Sequence, residues 1–250
     1  MLIAVLAAGS TVACLPTPGE PTEWPAECPR VAASEIDLTR KLNAGFLIVD
    51  GIYNSELMAP YDIFQHTIFH TDPYPGIEVF TVSPDGQPVT SFEGLSIGAH
   101  YSFESAPPID ILVVPSAEGS MDQDLQDERM MGWVREVGAA ASIVVSLCDG
   151  AFVLAEAGLL DGLRCTTFPG DQDHFAESFP SLELIRGVSF VHDGPTMTSA
   201  GGAKSYDVAM YLVDYLYGPD VATRVGKGLI IDWPPLASQM RADLSGCLVQ

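Results

Sequence analysis

Ile143-Val144-Val145-Ser146-Leu147-Cys148-Asp149-Gly150-Ala151 decides the fold. A short apolar run, read as a buried strand, ends in a single cysteine. Asp-Gly-Ala then opens a stretch of small and apolar residues, Gly150–Gly158, that fits a helix. This is the layout of a nucleophile elbow, in which the side chain stands at the end of a strand on a tight turn. Small residues at 150 and 151 let the helix pack close to the sheet. The positive end of that helix faces the sulfur, which favours thiolate. The same pattern also suits a buried structural cysteine, and these nine residues leave both roles open.

Working outward, strands and helices alternate. Ala44–Asp50, Ile109–Val114 and Ser142–Leu147 are apolar runs that predict buried strands, and Ile77–Ser83 predicts another, closed by the turn Pro84-Asp85-Gly86. Helices are expected over Ser55–Phe69 (with Pro60 in its first turns), Leu125–Ala141 and Ala203–Tyr217. Hairpins are expected at Val89–Ile97, around Glu93-Gly94, and at Val188–His192 with Thr196–Thr198, across Asp193-Gly194. Apolar strands alternating with helices predict an α/β fold with a mostly parallel sheet covered on both faces. The site of such a sheet lies at the carboxyl ends of its strands.

The stretch Ser146–Thr167 resembles the core signature of the ThiJ/PfpI superfamily, S-x-C-x-G-x-x-x-L-A-x-A-G-L-L-x-G-x-x-x-T-T. The likeness runs from about Lys41 to Trp233 and includes Gly45–Asp50, Ile109–Pro115 and Ser199-Ala200-Gly201-Gly202. It implies a flavodoxin-like α/β sandwich, a homodimer, and Cys148 as nucleophile with no cofactor. It also implies an acid at the start of the first helix touching the thiol, a place held here by Glu56 in Asn54-Ser55-Glu56-Leu57. A protonated Glu56 donating to sulfur would make Cys148 a low-pKa thiol; otherwise Glu56 is a solvated acid near a helix dipole. The backbone N–H of Asp149, with that of Glu118 or Gly119, is expected to form the oxyanion hole.

Two departures stand out. Many members carry His after the Thr-Thr pair; here Phe168 stands there. The loop after Ile109–Val114 reads Pro115-Ser116-Ala117-Glu118-Gly119 in place of Pro-Gly-Gly, which puts Glu118 near the mouth, where its charge would raise the thiol pKa. Asp171 reads as a helix N-cap or a catalytic partner, and His174 as a surface histidine or an accessory group. His66, His70, His100 and His192 suggest no metal site.

At the N-terminus, Met1–Ala13 is apolar and too short to span a bilayer. It has the length and small-residue end of a signal-peptide core, although a buried strand is the other reading and no Lys or Arg precedes it. Thr11-Val12-Ala13-Cys14 partly resembles a bacterial lipobox, so the chain is expected to be exported, lipid-anchored through Cys14 or simply secreted, and cytoplasmic if the segment is not a working signal. The expected organisation is therefore a signal-like segment 1–13, a Pro/Glu-rich tether 14–40, the domain 41–235 and a tail 236–250. An exported chain would allow Cys28 and Cys247 to pair, and Cys165 reads as a small buried residue.

Eleven Lys+Arg stand against 33 Asp+Glu, a formal charge of −22. Such a chain is repelled by phosphate backbones, so no nucleic-acid partner is expected. About 30 residues follow Tyr217, which argues against the DNA-binding half of AraC-type members. The expected function is attack by Cys148 on a small electrophilic substrate, as hydratase, amidase or glyoxalase-like enzyme. A redox-sensing or small-molecule-binding module on the same fold is the alternative. Peptidase activity is disfavoured by the missing His.

Overall fold

Among the described residues, nine strands build one sheet with helices on both faces. The computed structural model describes residues 36–235, 241–244 and 247–249. In chain order the elements are β1 (Leu42–Leu47), α1 (Asn54–His66), β2 (Ile77–Ser83), β3 (Val89–Thr90), β4 (Ser96–Ile97), β5 (Tyr101–Ser102), β6 (Ile111–Val114) and α2 (Glu128–Ala140). They continue with β7 (Ile143–Leu147), α3 (Gly150–Glu156), β8 (Arg164–Cys165), α4 (Gln172–Ser178), β9 (Glu183–Leu184), β10 (Phe190–Asp193) and β11 (Thr196–Ser199). The last are α5 (Ser205–Tyr217), α6 (Pro219–Leu229), β12 (Ala242–Leu244) and β13 (Cys247–Val249). The main sheet has the order β13-β12-β10-β11-β7-β6-β1-β2-β5, while β3-β4 and β8-β9 form two-stranded sheets. All pairings in the main sheet are parallel except β10–β11 and β12–β13. The flavodoxin-like sandwich expected from the sequence is thus observed.

The two-residue period of the strands divides the core. Ile77 and Val79 of β2, Ile111 and Val113 of β6, and Ile143 and Val145 of β7 join one cluster with α1, α5 and α6. Phe80, Val82, Leu112, Val114 and Val144 join the other, with α2 and α3. Both faces being buried explains why these strands read as unbroken apolar runs. Helix α2 starts later than expected, at Glu128, because the Asp127 carboxylate accepts N–H bonds from Arg129 and Met130 and fixes the N-terminus there.

The sheet also continues past residue 235, into the stretch expected as a tail. Strand β12 lies parallel to β10, and Arg164 holds that edge by pairing with Asp193 and Asp243. Removing one member of such a half-buried cluster leaves carboxylates facing each other out of water, at a cost of about 3 kcal/mol. Arg164→Met should therefore raise amide exchange in 242–244 well above wild type while β6 and β7 stay protected. Unchanged exchange at β12 would show that Arg164 does not hold the edge. Residues 1–35, with Met1–Ala13, Cys14 and Cys28, lie outside the described residues, as does the side chain of Cys247.

Candidate active site

The parallel strands β1, β6, β7 and β11 end at the same edge, and each delivers one part of a small site beyond its carboxyl end. Beyond β1 comes Glu56 in the first turn of α1; beyond β6, Ser116; beyond β7, Cys148; beyond β11, Gly201 and Gly202.

Cys148 has φ +54°, a left-handed backbone that a non-glycine residue adopts at a cost of about 1–3 kcal/mol. Neighbours hold it there. Its N–H donates to Ser199 O at 3.0 Å, and the Thr167 hydroxyl lies 3.0 Å from its carbonyl oxygen. Two glycines make the turn possible. A Cβ on Gly150 would lie 2.1 Å from the Val114 carbonyl oxygen, and one on Gly201 would lie 2.3 Å from Cys148 Cβ. The elbow expected at 147–151 is present, with the Cys148 side chain almost fully buried.

Glu56 is only 4% exposed. Its Oε2 accepts the Ser116 N–H at 3.2 Å and its Oε1 the Gly202 N–H at 3.3 Å. Burial raises its pKa, opposed by a hydrogen bond from the Cys148 thiol and by those two N–H donors. Asp149 contributes its side chain as well as its backbone. Its Oδ2 accepts from Cys148 Sγ at 3.6 Å, and its Oδ1 lies 3.0 Å from the Thr167 hydroxyl. Burial, with the charges of Asp171 and Glu56 beside it, pushes Asp149 up to about 7 against the Thr167 hydrogen bond. The Cys148 thiol is itself pushed well up, first by burial and then by the charges of Glu56 and Asp149; the Asp149 N–H directed at sulfur opposes this. Burial and carboxyl charge thus act against the low thiol pKa expected from the sequence, while the Asp149 N–H and the dipole of the seven-residue α3 act for it.

A cavity of about 260 Å³ opens at the sulfur, lined by Tyr53, Glu56, Met121, Cys148, Asp149, Phe168 and Asp171. A larger groove of about 460 Å³ lies beside Phe103 and Trp133, away from any nucleophile. His66 and His70 stand four apart, but α1 ends at His66 and a 3-10 turn intervenes. Among the described residues no three His, Cys, Asp or Glu gather as metal ligands.

The DJ-1/PfpI family model matches residues 43–214, which contain every residue named around the sulfur. The chain belongs to the DJ-1/PfpI family. The isonitrile hydratase of Pseudomonas putida is 33% identical over 187 residues, 74% of this chain and 76% of that protein. The HTH-type transcriptional regulator CdhR of Pseudomonas aeruginosa is 32% identical over 163 residues, 65% of this chain; the match spans 47% of that regulator. Kinship with regulators means that charge alone does not separate this chain from nucleic acid. Among solved structures, Drosophila melanogaster DJ-1beta superposes with a TM-score of 0.67 at 19% identity, covering 77% of this chain and all of that one. A ThiJ/PfpI family protein from Pseudomonas syringae gives 0.67 at 21%, covering 86% and 87%. These two likenesses establish the fold.

Within this DJ-1/PfpI site, the structure brings together Cys148, Glu56, Asp149 and Asp171 and leaves out the rest of the expected set. Gly119 does not line the cavity; its carbonyl accepts from Asp122 and Asp124 in a turn. The Glu118 N–H is taken by Gly51 O, so it does not complete an oxyanion hole with Asp149. The Glu118 side chain is exposed, and the charges that raise the thiol come from Glu56 and Asp149 instead. Asp171 occupies the N-cap position of α4 without making the cap bond and lines the cavity. His174 is exposed on α4, its ring against Phe152, and does not reach the cavity. Tyr53 and Met121 were not singled out from the sequence. Tyr53 had one available signal, its place just before the helix that carries Glu56.

Proposed function

We propose that this protein is a cysteine-dependent hydratase of small, uncharged electrophiles, with isonitriles the first class to try. The observation that carries this is the placement of Cys148 sulfur between two carboxyl groups, Glu56 and Asp149, in a cavity of about 260 Å³. Such a site supplies a nucleophile and proton donors or acceptors within reach of one substrate carbon. Its three acids, Glu56, Asp149 and Asp171, disfavour carboxylate and phosphate substrates. The kinship with an isonitrile hydratase supports the choice of class.

The reaction balances as follows. The thiol adds to the terminal carbon of R–N≡C: an S–C bond forms and the carbon takes the proton that sulfur gives up. The product is the thioimidate R–N=CH–S–Cys148. Water adds to that carbon, the S–C bond breaks, and R–NH–CHO leaves with the thiol restored. A panel of alkyl isonitriles, methylglyoxal and small amides, with wild type against Cys148→Ser, tests this. Wild type should consume isonitriles, and Cys148→Ser should lose about three orders of magnitude or more. Equal rates in the two proteins would leave a binding module.

A further inference from the structure

Burial sorts the lining of the sulfur cavity into a floor and a rim. Cys148, Glu56 and Asp149 are almost fully buried and form the floor. Each carboxyl oxygen there has a partner: the Ser116 and Gly202 N–H groups on Glu56, the Thr167 hydroxyl and the Cys148 thiol on Asp149. Tyr53, Met121 and Asp171 are half-buried and Phe168 is 43% exposed, so these form the rim. Its apolar members come from separate loops: Tyr53 ahead of α1, Met121 beyond β6 and Phe168 beyond β8. Both rings have supports. Tyr53 packs on Phe92, between β3 and β4, with ring centroids 4.9 Å apart. Phe168 lies over Gly170, where a Cβ would stand 2.8 Å from one ring carbon and 3.3 Å from another. The Asp171 N–H closes that turn by donating to Phe168 O at 3.0 Å.

Resting on the hydratase reading above, we infer that Phe168 is a specificity-determining residue and that the substrate carries a flat apolar tail, an aryl ring above all, which packs on Phe168 while its uncharged electrophilic carbon reaches Cys148. Small-molecule sites hold their ligands by apolar and aromatic walls and orient them by a few polar groups. Here the polar groups of the floor surround the reacting carbon, so the tail meets the rim. A ring set against Phe168 gains from aromatic packing beyond the area it buries, and the Met121 thioether is a second soft contact for it. Phe168 touches the tail and no reacting atom. Gly170 is a positioning residue, because the absence of its side chain lets the Phe168 ring lie where it does. Asp171 is the acid of the rim, and it would draw a cationic tail instead.

The test compares reagents with one reactive group and different tails, so that the reactivity of the thiol cancels. Iodoacetamide, N-benzyl iodoacetamide and N-(2-trimethylammonioethyl) iodoacetamide each alkylate Cys148 of the full chain at one pH, sulfur displacing iodide, and peptide mass gives the rates. Glutathione supplies the intrinsic order of the three. Wild type should favour the benzyl reagent over iodoacetamide by about fivefold to tenfold beyond the glutathione ratio. Phe168→Ala should return the ratio to that of glutathione, and Phe168→Leu, apolar but not flat, should fall between. Gly170→Ala keeps the ring but displaces it, and should lower the ratio as well. A wild-type ratio equal to that of glutathione, or one that survives in Phe168→Ala, overturns the proposal. So does a preference for the cationic reagent, which would give the choice of tail to Asp171. With benzyl isonitrile, Phe168→Ala should raise KM about tenfold and change kcat by less than about threefold; a fall confined to kcat would overturn the specificity role. Isonitrile turnover absent alongside a Phe168-dependent alkylation ratio would refute the hydratase reading and leave the aryl preference standing.

Discussion

Gly150→Ala should melt about 10 °C or more below wild type. The added methyl would sit 2.1 Å from the Val114 carbonyl oxygen, 3.1 Å from its carbonyl carbon and 3.3 Å from that of Pro115. These are backbone atoms at the end of β6, which is paired to β1 on one side and β7 on the other. No side chain can rotate away, so the strand or α3 must move. Overpacking a core typically costs about 1–3 kcal/mol, occasionally more, and an obstacle made of clamped backbone belongs at or beyond the upper end. A domain of this kind has about 5–15 kcal/mol in all. Gly132→Ala is the control: it lies inside α2 with nothing within 4 Å of the new Cβ. It should stabilise the protein by up to about 1 kcal/mol, since glycine costs a helix interior roughly that much. Thermal melts of both variants check the pair. Equal melting temperatures for Gly150→Ala and wild type would mean that the close approach of α3 to β6 is not needed.

Asp149→Asn should melt above wild type at neutral pH and level with it near pH 4. A carboxyl whose pKa is about 7 folded, against 3.8 as its ordinary value, binds more protons in the native state throughout the interval between them. Stability then falls as pH rises from about 4 to about 7. Below the unfolded value the carboxyl is protonated in both states and costs nothing; above the folded value the full cost of a buried charge is present. At about 1.4 kcal/mol per pKa unit, the gap between variant and wild type at pH 7.5 should be on the order of a few kcal/mol. That is roughly 5–10 °C in melting temperature for a domain of this size. Other shifted groups, such as Asp124, raised to about 6, and Asp110, lowered by Arg40, are shared by both proteins and cancel in the comparison. A gap that does not change with pH would mean that Asp149 is already ionised at low pH in the folded chain.

The elbow and the strands beside it were legible because burial on both faces leaves a continuous run of aliphatic residues in β6 and β7, with no polar position to mislead. Helix α6 was missed although its signals are local: Gly218 closes α5, Pro219 opens the next helix, and Val221, Ala222 and Val225 share the buried face. Strands β5, β8 and β9 have two residues each and exist through their partners, so no local pattern announces them. The same holds for β12, whose place depends on the open edge of β10 and on Arg164 reaching across from β8. In the site, Cys148 and Glu56 followed from motif and position. The Asp149 side chain did not, because the group that orients it, Thr167, lies 18 residues downstream. The thiol's surroundings were half legible: a helix dipole can be counted from sequence, whereas the depth of burial cannot.

Gly202 donates to Glu56 across 146 residues of chain, and Ser199 fixes the backbone of Cys148 from 51 residues downstream. The site therefore has a history within each molecule. During synthesis, residues 1–148 emerge from the ribosome with nothing to hold Cys148 in its left-handed turn and nothing to tether the Glu56 carboxylate. In that interval the thiol is an ordinary exposed cysteine, open to oxidation and alkylation. It becomes sheltered when β11 inserts beside β7 and the Gly201-Gly202 turn closes over it, a long-range step of the kind that folds late. The pairing that gives the sulfur its working geometry is also the one that ends its exposure to indiscriminate chemistry.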